Sequence, residues 1–462
     1  MLADVIDDAG EELGAFDAIE WRRHALTVTT VPGTNEPMDV TSVSSSSGGG
    51  EAVTGSAATG VIRTAPIRYA TARRFERSHM TTGPDWGGPS SGQICPQLPG
   101  RLSPVMGPNK TDLVEGEDCL NLSIATPGHD ADVRPVMVFL HGGAFNSGAG
   151  LMDWYDGSSL SAEADVVVVS VNYRLGVFGY LCLDGVSGGN LGLYDQVEAL
   201  RWVKANIAGY GGDPGNVTVF GQSAGAVSIR LLMEIPDACG LFTRAIMQSG
   251  PGPDIVRPRE LAEDVGRIFA EIVGGDPRTA SVAALLDAQR KTAAVWAERS
   301  GPVGAPPFSP VSGTDPLPVL GASFSENVQD LDVICGWNAD DVSAFTGPGP
   351  DTVEITHRML AEPLSEFRDR LVQAGARACT YRFDWRPHGS RYGATHCVEL
   401  PLLLGTREAW EGSPMLGDTE WGGVELLGKT LRRIWGRYAH TGVVEPEPAL
   451  PMAWDPAISH SL

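Results

Sequence analysis

The stretch NVTVFGQSAGAVSIR, residues 216–230, places a serine between two glycines at the point where a strand pattern changes to a helix pattern. The letters VTVF before the serine are β-branched and aromatic, as in a buried strand, whereas residues 224–233 carry apolar side chains at helical spacing. Ser223 therefore lies at the corner between the two elements. Gly221 and Gly225 complete a G-x-S-x-G motif, and a tight strand-to-helix turn needs small residues there because it crowds the neighbours of the serine.

The composition indicates a soluble globular protein with both helices and strands. Hydrophobic residues make up 42% of the 462 residues and charged residues 20%, which leaves enough apolar material for a sizeable core. The 57 glycines and 33 prolines indicate many loops rather than a helical bundle. The formal net charge of -23 opposes binding to nucleic acid and to anionic membrane surfaces, so we expect neither as a partner.

The sequence carries no sign of export or of a zinc site. The N-terminus, MLADVIDDAGEELGAFDAIEWRRHAL, lacks the basic start and apolar centre of a signal peptide, and no apolar run reaches about 18 residues, so we expect a cytoplasmic protein. The seven cysteines are scattered and form no C-x-x-C pair, which argues against a disulfide scaffold and against zinc. Cys95 and Cys119 are able to pair, but a reducing compartment would keep them mostly as thiols.

Composition also divides the chain into two predicted regions. Residues 41–60 are nearly all Ser, Gly, Thr, Ala and Val, which cannot bury enough surface to offset the entropy of ordering, so we expect a flexible segment there. We predict an N-terminal extension over residues 1–50, partly of low complexity and without an assigned function. Residues 51–462 are predicted to form one large domain.

Short apolar runs alternate with amphipathic helices from about residue 118 onward. The runs are LNLSIA, VMVFL, VVVVSV, VTVF, AIMQS, DVIC and CTYRF, and this alternation predicts a largely parallel sheet covered on both faces. Between VVVVSV and VTVF, the segment LYDQVEALRWVKANI has apolar residues at three- and four-residue steps, which predicts a crossover helix with one buried face. Ligands of such sheets bind at the carboxyl ends of the strands, so the residues after each run are the candidates for function.

A glycine-rich loop follows the run VMVFL. It reads HGGAFNSG, residues 141–148, and its small residues leave backbone N–H groups uncovered. Acyl transfer needs such donors, because negative charge develops on the former carbonyl oxygen of the substrate in the tetrahedral intermediate. The loop alone is a weak indication, but together with G-x-S-x-G it indicates the oxyanion hole of an esterase. We expect His141 to brace this loop rather than to exchange protons.

A serine nucleophile needs a base, and the base needs a carboxylate to fix its tautomer. Chains of α/β-hydrolases carry these groups in the order serine, acid, histidine, so both partners are expected after Ser223. Asp340 and Asp341 follow the run DVIC, and position alone does not separate them. His388 and His396 follow the run CTYRF, where a loop returns to the top of the sheet. The remaining histidines after the serine are expected at the surface: His357, His440 and His460.

Six blocks of sequence carry a resemblance to a known family. They are EDCLNLSI, HGGAF, NYRLGVFGYL, GNLGLYDQVEALRWV, GGDPGNVTVFGQSAGA and GATHCVEL. In this order they resemble the type-B carboxylesterases, the family that includes cholinesterases and bacterial p-nitrobenzyl esterases. The resemblance covers most of residues 60–456 and leaves residues 1–50 outside. It implies an α/β-hydrolase fold, with a mostly parallel central sheet and helices on both faces, and ester hydrolysis without a metal or a cofactor.

Position by position, the resemblance implies which residues do the chemistry. Ser223 would be the nucleophile and His396, in the block GATHCVEL, the base. Asp341 would be the acid, because GWNADDVSAF matches the family's G-x-x-x-D-E-G-x-x-F. Aspartate is one methylene shorter than the usual glutamate, so the backbone must approach the histidine more closely, and Asp340 stays a fallback. Ser249, in the run MQSG, matches a family position near the triad, and we expect a structural hydroxyl bonded to the backbone.

The resemblance also implies the oxyanion hole and parts of the pocket. The N–H donors would be those of three residues: Gly143, Ala144 and Ala224. Gly142 would help to shape the loop, and such a loop leaves space beside the alcohol group of an ester, so we expect bulky alcohols to be accepted. Phe145 is expected either to line the pocket or to belong to the core. Two further side chains are candidates to line the pocket: Gln222 and Trp337.

Two departures from the family bear on the substrate. Gln222 replaces a glutamate that is common beside the nucleophile of cholinesterases, and the segment between Cys95 and Cys119 contains no tryptophan to stack on a quaternary ammonium. A choline ester is therefore not the favoured substrate. Only 55 residues (396 − 341) separate Asp341 from His396, where the family usually inserts a longer helical region. This spacing predicts a shortened cap and a shallower, more open site.

The sequence thus predicts a serine carboxylic ester hydrolase that acts through an acyl-enzyme on small to medium esters, including bulky-alcohol and aryl esters. The same triad serves carbamates, amides and lactones, which form the first alternative. A non-catalytic, cholinesterase-like binding protein is an alternative of another class, disfavoured because serine, histidine and a suitable acid are all present. The expected partner is a small-molecule ester, and both a monomer and a homodimer stay open.

Overall fold

The computed structural model of the chain describes residues 53–55, 60–81, 92–128, 133–250, 252, 255–300, 306–321 and 324–455. The predicted extension, residues 1–50, and His460 lie outside these ranges. The described strands, numbered in chain order, are β1 (Val53–Gly55), β2 (Ile62–Thr64), β3 (Ile67–Arg68), β4 (Ala70–Thr71), β5 (His79–Met80), β6 (Asn121–Thr126), β7 (Arg134–Leu140), β8 (Val167–Val171), β9 (Cys182–Leu183), β10 (Ser187–Gly188), β11 (Gly212–Gln222), β12 (Arg244–Gln248), β13 (Arg257–Pro258), β14 (Val311–Ser312), β15 (Asp332–Asn338), β16 (Arg377–Phe383) and β17 (Met452–Asp455).

Helices separate most of the longer strands. The described α-helices are Ser103–Met106, Ser158–Ala164, Gly176–Tyr180, Leu191–Asn206, Ala224–Leu232, Arg259–Val273, Val282–Ser300, Phe324–Asn327, Ser343–Thr346, Thr352–Thr356, Glu362–Gln373, Leu400–Leu403, Arg407–Trp410 and Trp421–Thr441. The described 3₁₀ turns are Asp153–Tyr155, Ile207–Tyr210, Pro236–Ala238 and Pro414–Leu416, and one π-helical turn spans His357–Ala361.

One large sheet organises the described part of the chain. Ten of its eleven strands pair in the order β1-β2-β6-β8-β7-β11-β12-β15-β16-β17, and the eleventh, β3, pairs with β6. Neighbours from β8 to β16 are parallel, and β6 and β17 flank them in the antiparallel direction. Every apolar run that the sequence predicts as a strand lies in this sheet. The prediction of a mostly parallel central sheet is confirmed, and the carboxyl ends of its parallel strands meet at one edge.

Successive side chains of the central strands enter two different cores. On β7, Val136, Val138 and Leu140 lie in the core on one face of the sheet. Met137 and Phe139, between them, lie in the core on the opposite face. A strand that is buried on both faces needs apolar residues at every position, because side chains alternate between the faces with a period of two. This is why the run VMVFL is continuous instead of alternating with polar residues.

The helix Leu191–Asn206 confirms the predicted crossover between β8 and β11. Its predicted apolar face is buried, with Leu193, Leu200 and Val203 fully enclosed in the core. The next helix, Ala224–Leu232, begins directly after β11 and leaves residue 223 as the single link between the two elements. The G-x-S-x-G motif thus forms the strand-to-helix corner that the sequence predicts, at the carboxyl edge of the sheet.

The segment 41–60, for which the sequence predicts flexibility, includes the described residues Val53–Gly55. These residues form β1, an antiparallel partner of β2 in which Val53 lies opposite Thr64 and Gly55 opposite Ile62. The composition argument considers only the surface that side chains can bury, whereas an edge strand gains order from main-chain hydrogen bonds to its neighbour. Of the other residues of this segment, only Gly60 lies within the described part of the chain.

The seven cysteines all lie within the described residues, and the structure joins none of them in a disulfide. Cys95 and Cys119 are both buried, and a hydrogen bond with Cys95 together with burial raises the pKa of the Cys119 thiol well above its usual value. The Cys119 thiol therefore stays protonated at neutral pH. Within the described residues, no helix combines the length and the apolar character needed to span a bilayer.

Candidate active site

Ser223 occupies the turn between β11 and the helix Ala224–Leu232 in a backbone conformation that few non-glycine residues adopt. Its φ is 57° and its ψ is -121°. Two main-chain hydrogen bonds hold the turn: Ser223 N–H donates to the Gln248 carbonyl at 2.8 Å, and the Ser223 carbonyl accepts from Val227 N–H at 3.0 Å. The first bond ties the turn to the neighbouring strand β12, and the second is the first turn of the helix. Ser223 is therefore fixed at the carboxyl edge of the sheet.

The two glycines of the motif are explained by the close approach of β7. A Cβ atom at Gly225 would lie 1.9 Å from the carbonyl oxygen of Leu140, and one at Gly221 would lie 2.7 Å from the same oxygen. Real Cβ atoms do not come within about 3 Å of a backbone oxygen, because their van der Waals surfaces would overlap. The first helical turn can pack onto the end of β7 only without these side chains.

Asp341 and His396 are in direct contact at the same edge of the sheet. Asp341 Oδ1 lies 2.5 Å from His396 Nδ1, and the exposed fractions of the two side chains are 0% and 3%. His396 N–H also donates to the Asp341 carbonyl at 3.1 Å. This main-chain bond brings the two backbones together, which is the closer approach that an aspartate needs in place of a glutamate. The contact orients the imidazole and fixes its tautomer.

Asp340 has different partners, so the structure separates the two candidate acids. Its carboxylate accepts from Arg386 Nε at 2.7 Å and from the Ala394 main-chain N–H at 2.9 Å. No described contact joins Asp340 to the His396 ring. Asp340 instead holds the segment that leads to His396, because the Asp340 N–H also donates to the Ala394 carbonyl at 2.9 Å.

Ser249 differs from its predicted role. The sequence predicts a hydroxyl bonded to the backbone, but Ser249 Oγ donates to Asp341 Oδ2 at 2.6 Å. The Asn338 N–H donates to the same oxygen at 2.9 Å. Two donors therefore hold the carboxylate oxygen that faces away from His396, which leaves Oδ1 for the imidazole. Position in the chain does not reveal this contact, because it joins the ends of two different strands.

The glycine-rich loop after β7 packs directly against the serine turn. A Cβ atom at Gly142 would lie 3.1 Å from the Ser223 Cβ. The carbonyl of Gly143 accepts hydrogen bonds from the N–H groups of Asn146 and Ser147, which close the loop. Among the described residues, none accepts a hydrogen bond from the N–H groups of the three residues expected to form the oxyanion hole: Gly143, Ala144 and Ala224. These donors are available to a ligand beside Ser223.

Backbone strain is concentrated around this site. Nine described non-glycine residues have a positive φ, and five of them belong to the segments just described: Ala144, Phe145, Ser223, Ser249 and Cys397. Each such conformation costs on the order of 1–3 kcal/mol and persists only where the surrounding structure holds it. Strain of this kind is common at functional sites, so its distribution supports the assignment of this edge of the sheet as the active site.

Three other predicted site residues lie in different surroundings. Phe145 is in the core, where its fully buried ring packs edge-on against Tyr180 with the ring centroids 5.1 Å apart. His388 is exposed, with no ring contact to the triad. Trp337 contributes to a cavity of about 480 Å³ that neither Ser223 nor His396 lines. Whether each of these residues faces the site depends on the direction of its side chain. That direction follows from backbone dihedral angles, which the sequence pattern does not predict.

His141 braces the glycine-rich loop, as predicted. Its ring stacks on Tyr173 with the centroids 4.3 Å apart, and its Nδ1 lies 2.7 Å from the Gly142 carbonyl, to which it donates. Burial lowers the pKa of His141 to about 4. The imidazole is therefore neutral at neutral pH and acts as a hydrogen-bond donor to the loop, not as a proton carrier.

The sequence did not identify two residues close to His396 as part of the site: Phe345 and Glu399. Phe345 is 46% exposed, and its ring centroid lies 5.0 Å from that of His396. It is the phenylalanine that ends GWNADDVSAF, the block whose resemblance to the family motif points to Asp341. Glu399, three residues after His396, is buried and accepts a 2.6 Å hydrogen bond from Asn338 Nδ2. Its place in the block GATHCVEL, three residues after His396, is the feature of the sequence that points to it.

The buried carboxyl group of Glu399 ionises at a higher pH than an ordinary glutamate does. Burial raises the pKa of Glu399 to about 7, and the hydrogen bond from Asn338 opposes this rise in part. Because the folded-state pKa is raised, the stability that the protonated carboxyl contributes is fully present below pH 4.5 and is lost as the pH rises through about 7.

Replacing Glu399 with glutamine is expected to remove this pH dependence. The amide oxygen can still accept the hydrogen bond from Asn338, but the side chain no longer ionises. Between pH 4.5 and 7, the free energy of unfolding of the wild type should fall by up to about 3 kcal/mol relative to the variant. Urea unfolding at half-unit pH intervals measures this difference, and parallel curves for the two proteins would contradict it.

Comparison with known proteins identifies the family of this chain. A model of the carboxylesterase family matches residues 50–362, which is more than half of the chain. The chain belongs to the carboxylesterase family. The matched range contains the glycine-rich loop, the serine turn and Asp341, and His396 follows it. The prediction of a type-B carboxylesterase is confirmed, and the protein is a carboxylic ester hydrolase.

Relatives of this carboxylesterase come from several bacteria. It is 40% identical over 417 residues to a probable N-octanoylanthranilate hydrolase of Rhodococcus erythropolis, covering 84% of this chain and 90% of that protein. It is 33% identical over 397 residues to the para-nitrobenzyl (PNB) esterase of Bacillus subtilis, covering 76% and 79%. Among solved structures, a thermophilic PNB esterase matches with a TM-score of 0.73 at 28% identity, covering 87% of this chain and 91% of that chain. The fold is that of the α/β-hydrolases.

Proposed function

We propose that this carboxylesterase works through an acyl-enzyme, with Ser223 as nucleophile, His396 as base and Asp341 as acid. The observation that carries the proposal is the buried contact of 2.5 Å between Asp341 Oδ1 and His396 Nδ1, at the sheet edge where Ser223 occupies its strained turn. An ionised Asp341 keeps a proton on Nδ1 and makes Nε2 the acceptor of the serine proton. The two donors on Asp341 Oδ2, Ser249 Oγ and Asn338 N–H, leave Oδ1 to accept from His396 Nδ1.

The reaction would proceed in two balanced halves. Ser223 Oγ bonds to the substrate carbonyl carbon as its proton moves to His396 Nε2, and the imidazolium then protonates the leaving alcohol as the ester bond breaks. Water next bonds to the acyl carbon and gives its proton to Nε2. That proton passes to Ser223 Oγ as the carboxylic acid leaves. The unused N–H groups beside Ser223 would carry the oxyanion charge, and each such donor contributes about 3–4 kcal/mol to the transition state.

Small to medium esters with an apolar acyl or aryl group are the proposed substrates. The half-exposed Phe345 ring stands against the His396 ring, so an accessible apolar surface adjoins the base. An aryl ring or an alkyl chain gains by burial there, at about 0.8 kcal/mol for each methylene. Only 55 residues separate Asp341 from His396, and this short insertion supports an open site.

N-acyl arylamines form a second candidate class. The relative that is 40% identical is named for hydrolysis of N-octanoylanthranilate, whose name describes an eight-carbon acyl group on an aromatic amine. The same triad serves amides when His396 can protonate the leaving amine. A medium-length acyl chain is common to both candidate classes, so the pocket is proposed to fit such a chain.

A matched panel of substrates tests both classes. p-Nitrophenyl esters and p-nitroanilides with acyl groups from acetyl to octanoyl differ only in the leaving atom, and Ser223→Ala is the control at equal folding by circular dichroism. We expect kcat/KM for the esters to rise by up to about fourfold with each methylene until the pocket is filled. Activity should be absent in the variant.

The outcomes of this panel separate the alternatives. Anilide hydrolysis at a rate near that of the ester would favour the N-acyl arylamines as the substrate class. Ester hydrolysis that persists in Ser223→Ala would overturn the proposed mechanism, since the residual activity could not pass through an acyl group on that serine.

A further inference from the structure

Gln222 makes a contact that the mechanism above does not use. It is the last residue of β11, directly before Ser223, and it is 2% exposed. Its Nε2 lies 3.0 Å from Nε2 of His396. This ring nitrogen is the atom that the proposed mechanism requires as proton acceptor.

The direction of this hydrogen bond follows from the other ring nitrogen. Asp341 contacts Nδ1, so the proton of a neutral imidazole resides on Nδ1 and Nε2 carries a lone pair. The amide nitrogen of glutamine is a donor only, so Gln222 donates to His396 Nε2. The nitrogen end of the amide, and not the oxygen end, faces the ring.

The contact places Gln222 in competition with the nucleophile. No hydrogen bond joins Ser223 Oγ to His396 among the described residues, so the lone pair of the base is covered by an amide donor in this state. An imidazolium has a proton on Nε2 and cannot accept from Gln222. The contact therefore exists only with the neutral ring and favours that form.

We propose that Gln222 is a positioning residue that holds His396 neutral and oriented in the free enzyme, and that it gives up Nε2 to Ser223 when substrate binds. This inference rests on the proposed function. It assigns a role to the glutamine that stands in place of the glutamate common in cholinesterases. A carboxylate at this position would act in the opposite sense, because it accepts hydrogen bonds and attracts the imidazolium.

Other ionisable groups around His396 stay constant in this comparison. Asp341 contacts Nδ1, Glu399 and Cys397 belong to the same segment as the base, and Asp340 holds that segment through its pair with Arg386. None of them is changed by substitutions at residue 222. The comparison of Gln222→Glu with Gln222→Met therefore separates the effect of a charge at residue 222 from the effect of removing its amide.

The test is the pH dependence of inactivation by an organophosphate, which reports the attack of Ser223 without a deacylation step. For Gln222→Glu, we expect the acid limb of the inactivation rate to move up by about 1–2 pH units, as a nearby opposite charge would cause. Gln222→Met keeps the length of the side chain but removes the hydrogen-bond donor. The acid limb of its inactivation profile should also move to higher pH, by less than that of Gln222→Glu. Gln373→Glu, which adds the same charge at an exposed helix end, is the control and should leave the limb in place.

The outcomes distinguish this inference from the proposed function. If the wild type is inactivated with one equivalent of reagent but both substitutions at Gln222 lower the rate equally at every pH, the glutamine is merely structural and the inference is overturned. If the wild type hydrolyses esters without reacting at Ser223, the proposed function itself fails. A limb that moves to lower pH in Gln222→Glu would also contradict the inference.

Discussion

Replacing Asp341 with asparagine is expected to lower kcat/KM about 10,000-fold, or about 5 kcal/mol of transition-state stabilisation. The carboxylate contacts His396 Nδ1 at 2.5 Å, and its other oxygen accepts from Ser249 and Asn338. An asparagine that keeps its oxygen toward these two donors must present its NH₂ group to Nδ1. The ring then takes the tautomer with the proton on Nε2, which cannot accept the serine proton. Steady-state kinetics on a p-nitrophenyl ester measure the loss.

Asp340→Asn is the matched control, because it makes the same chemical change one residue away. This carboxylate pairs with Arg386, whose side chain is 53% exposed, and ion pairs of such exposure contribute little. We expect kcat/KM to fall less than about tenfold, through a looser segment before His396. Equal losses in the two variants would exclude Asp341 as the acid that orients the base.

Gly143→Ala is expected to lower kcat by about 100- to 1,000-fold while the protein stays folded. Gly143 has φ 112°, and a Cβ atom there would lie 1.9 Å from the Ser147 carbonyl oxygen. The loop can admit the methyl group only by moving, and the N–H groups of Gly143 and Ala144 would move with it. The loss of aligned donors affects the charged transition state more than substrate binding, so KM should change little.

Gly422→Ala provides the comparison for this substitution. Gly422 lies in the first turn of the helix Trp421–Thr441, and a Cβ atom there would meet nothing within 4 Å. This variant should keep wild-type kinetics. Near-normal kcat in Gly143→Ala would mean that the loop donors do not carry the oxyanion charge, whereas a loss of circular dichroism signal would point to misfolding instead.

The sequence predicts the scaffold well because the scaffold depends on local patterns. Continuous apolar runs predict strands that are buried on both faces. The glycines on either side of Ser223 predict a tight strand-to-helix turn, and their lack of side chains leaves room for the end of β7. The acid, by contrast, depends on one residue. Asp340 and Asp341 are adjacent, and their side chains point to different partners, Arg386 and His396. Position along the chain does not separate them. The resemblance to the type-B carboxylesterases implies Asp341, and the backbone geometry after β15 directs its side chain to His396.

The features that the sequence does not predict are contacts between chain segments far apart in sequence. Ser249 reaches Asp341, and Gln222 reaches His396, each across strands that are distant along the chain. A hydroxyl or an amide has several possible partners, so its residue type does not identify the one that it uses. Phe145 is a similar case, since a phenylalanine in a glycine-rich loop fits either a pocket wall or the core, and the structure buries its ring in the core.

The most direct test of the central claim is mass spectrometry of the intact protein and its peptides after reaction with a fluorophosphonate. The mechanism predicts one adduct for each wild-type chain, located on Ser223, and none on Ser223→Ala at the same reagent concentration. An adduct on Ser249, the other serine bonded within the cluster, would contradict the assignment of the nucleophile. So would an unmodified protein whose esterase activity survives the reagent.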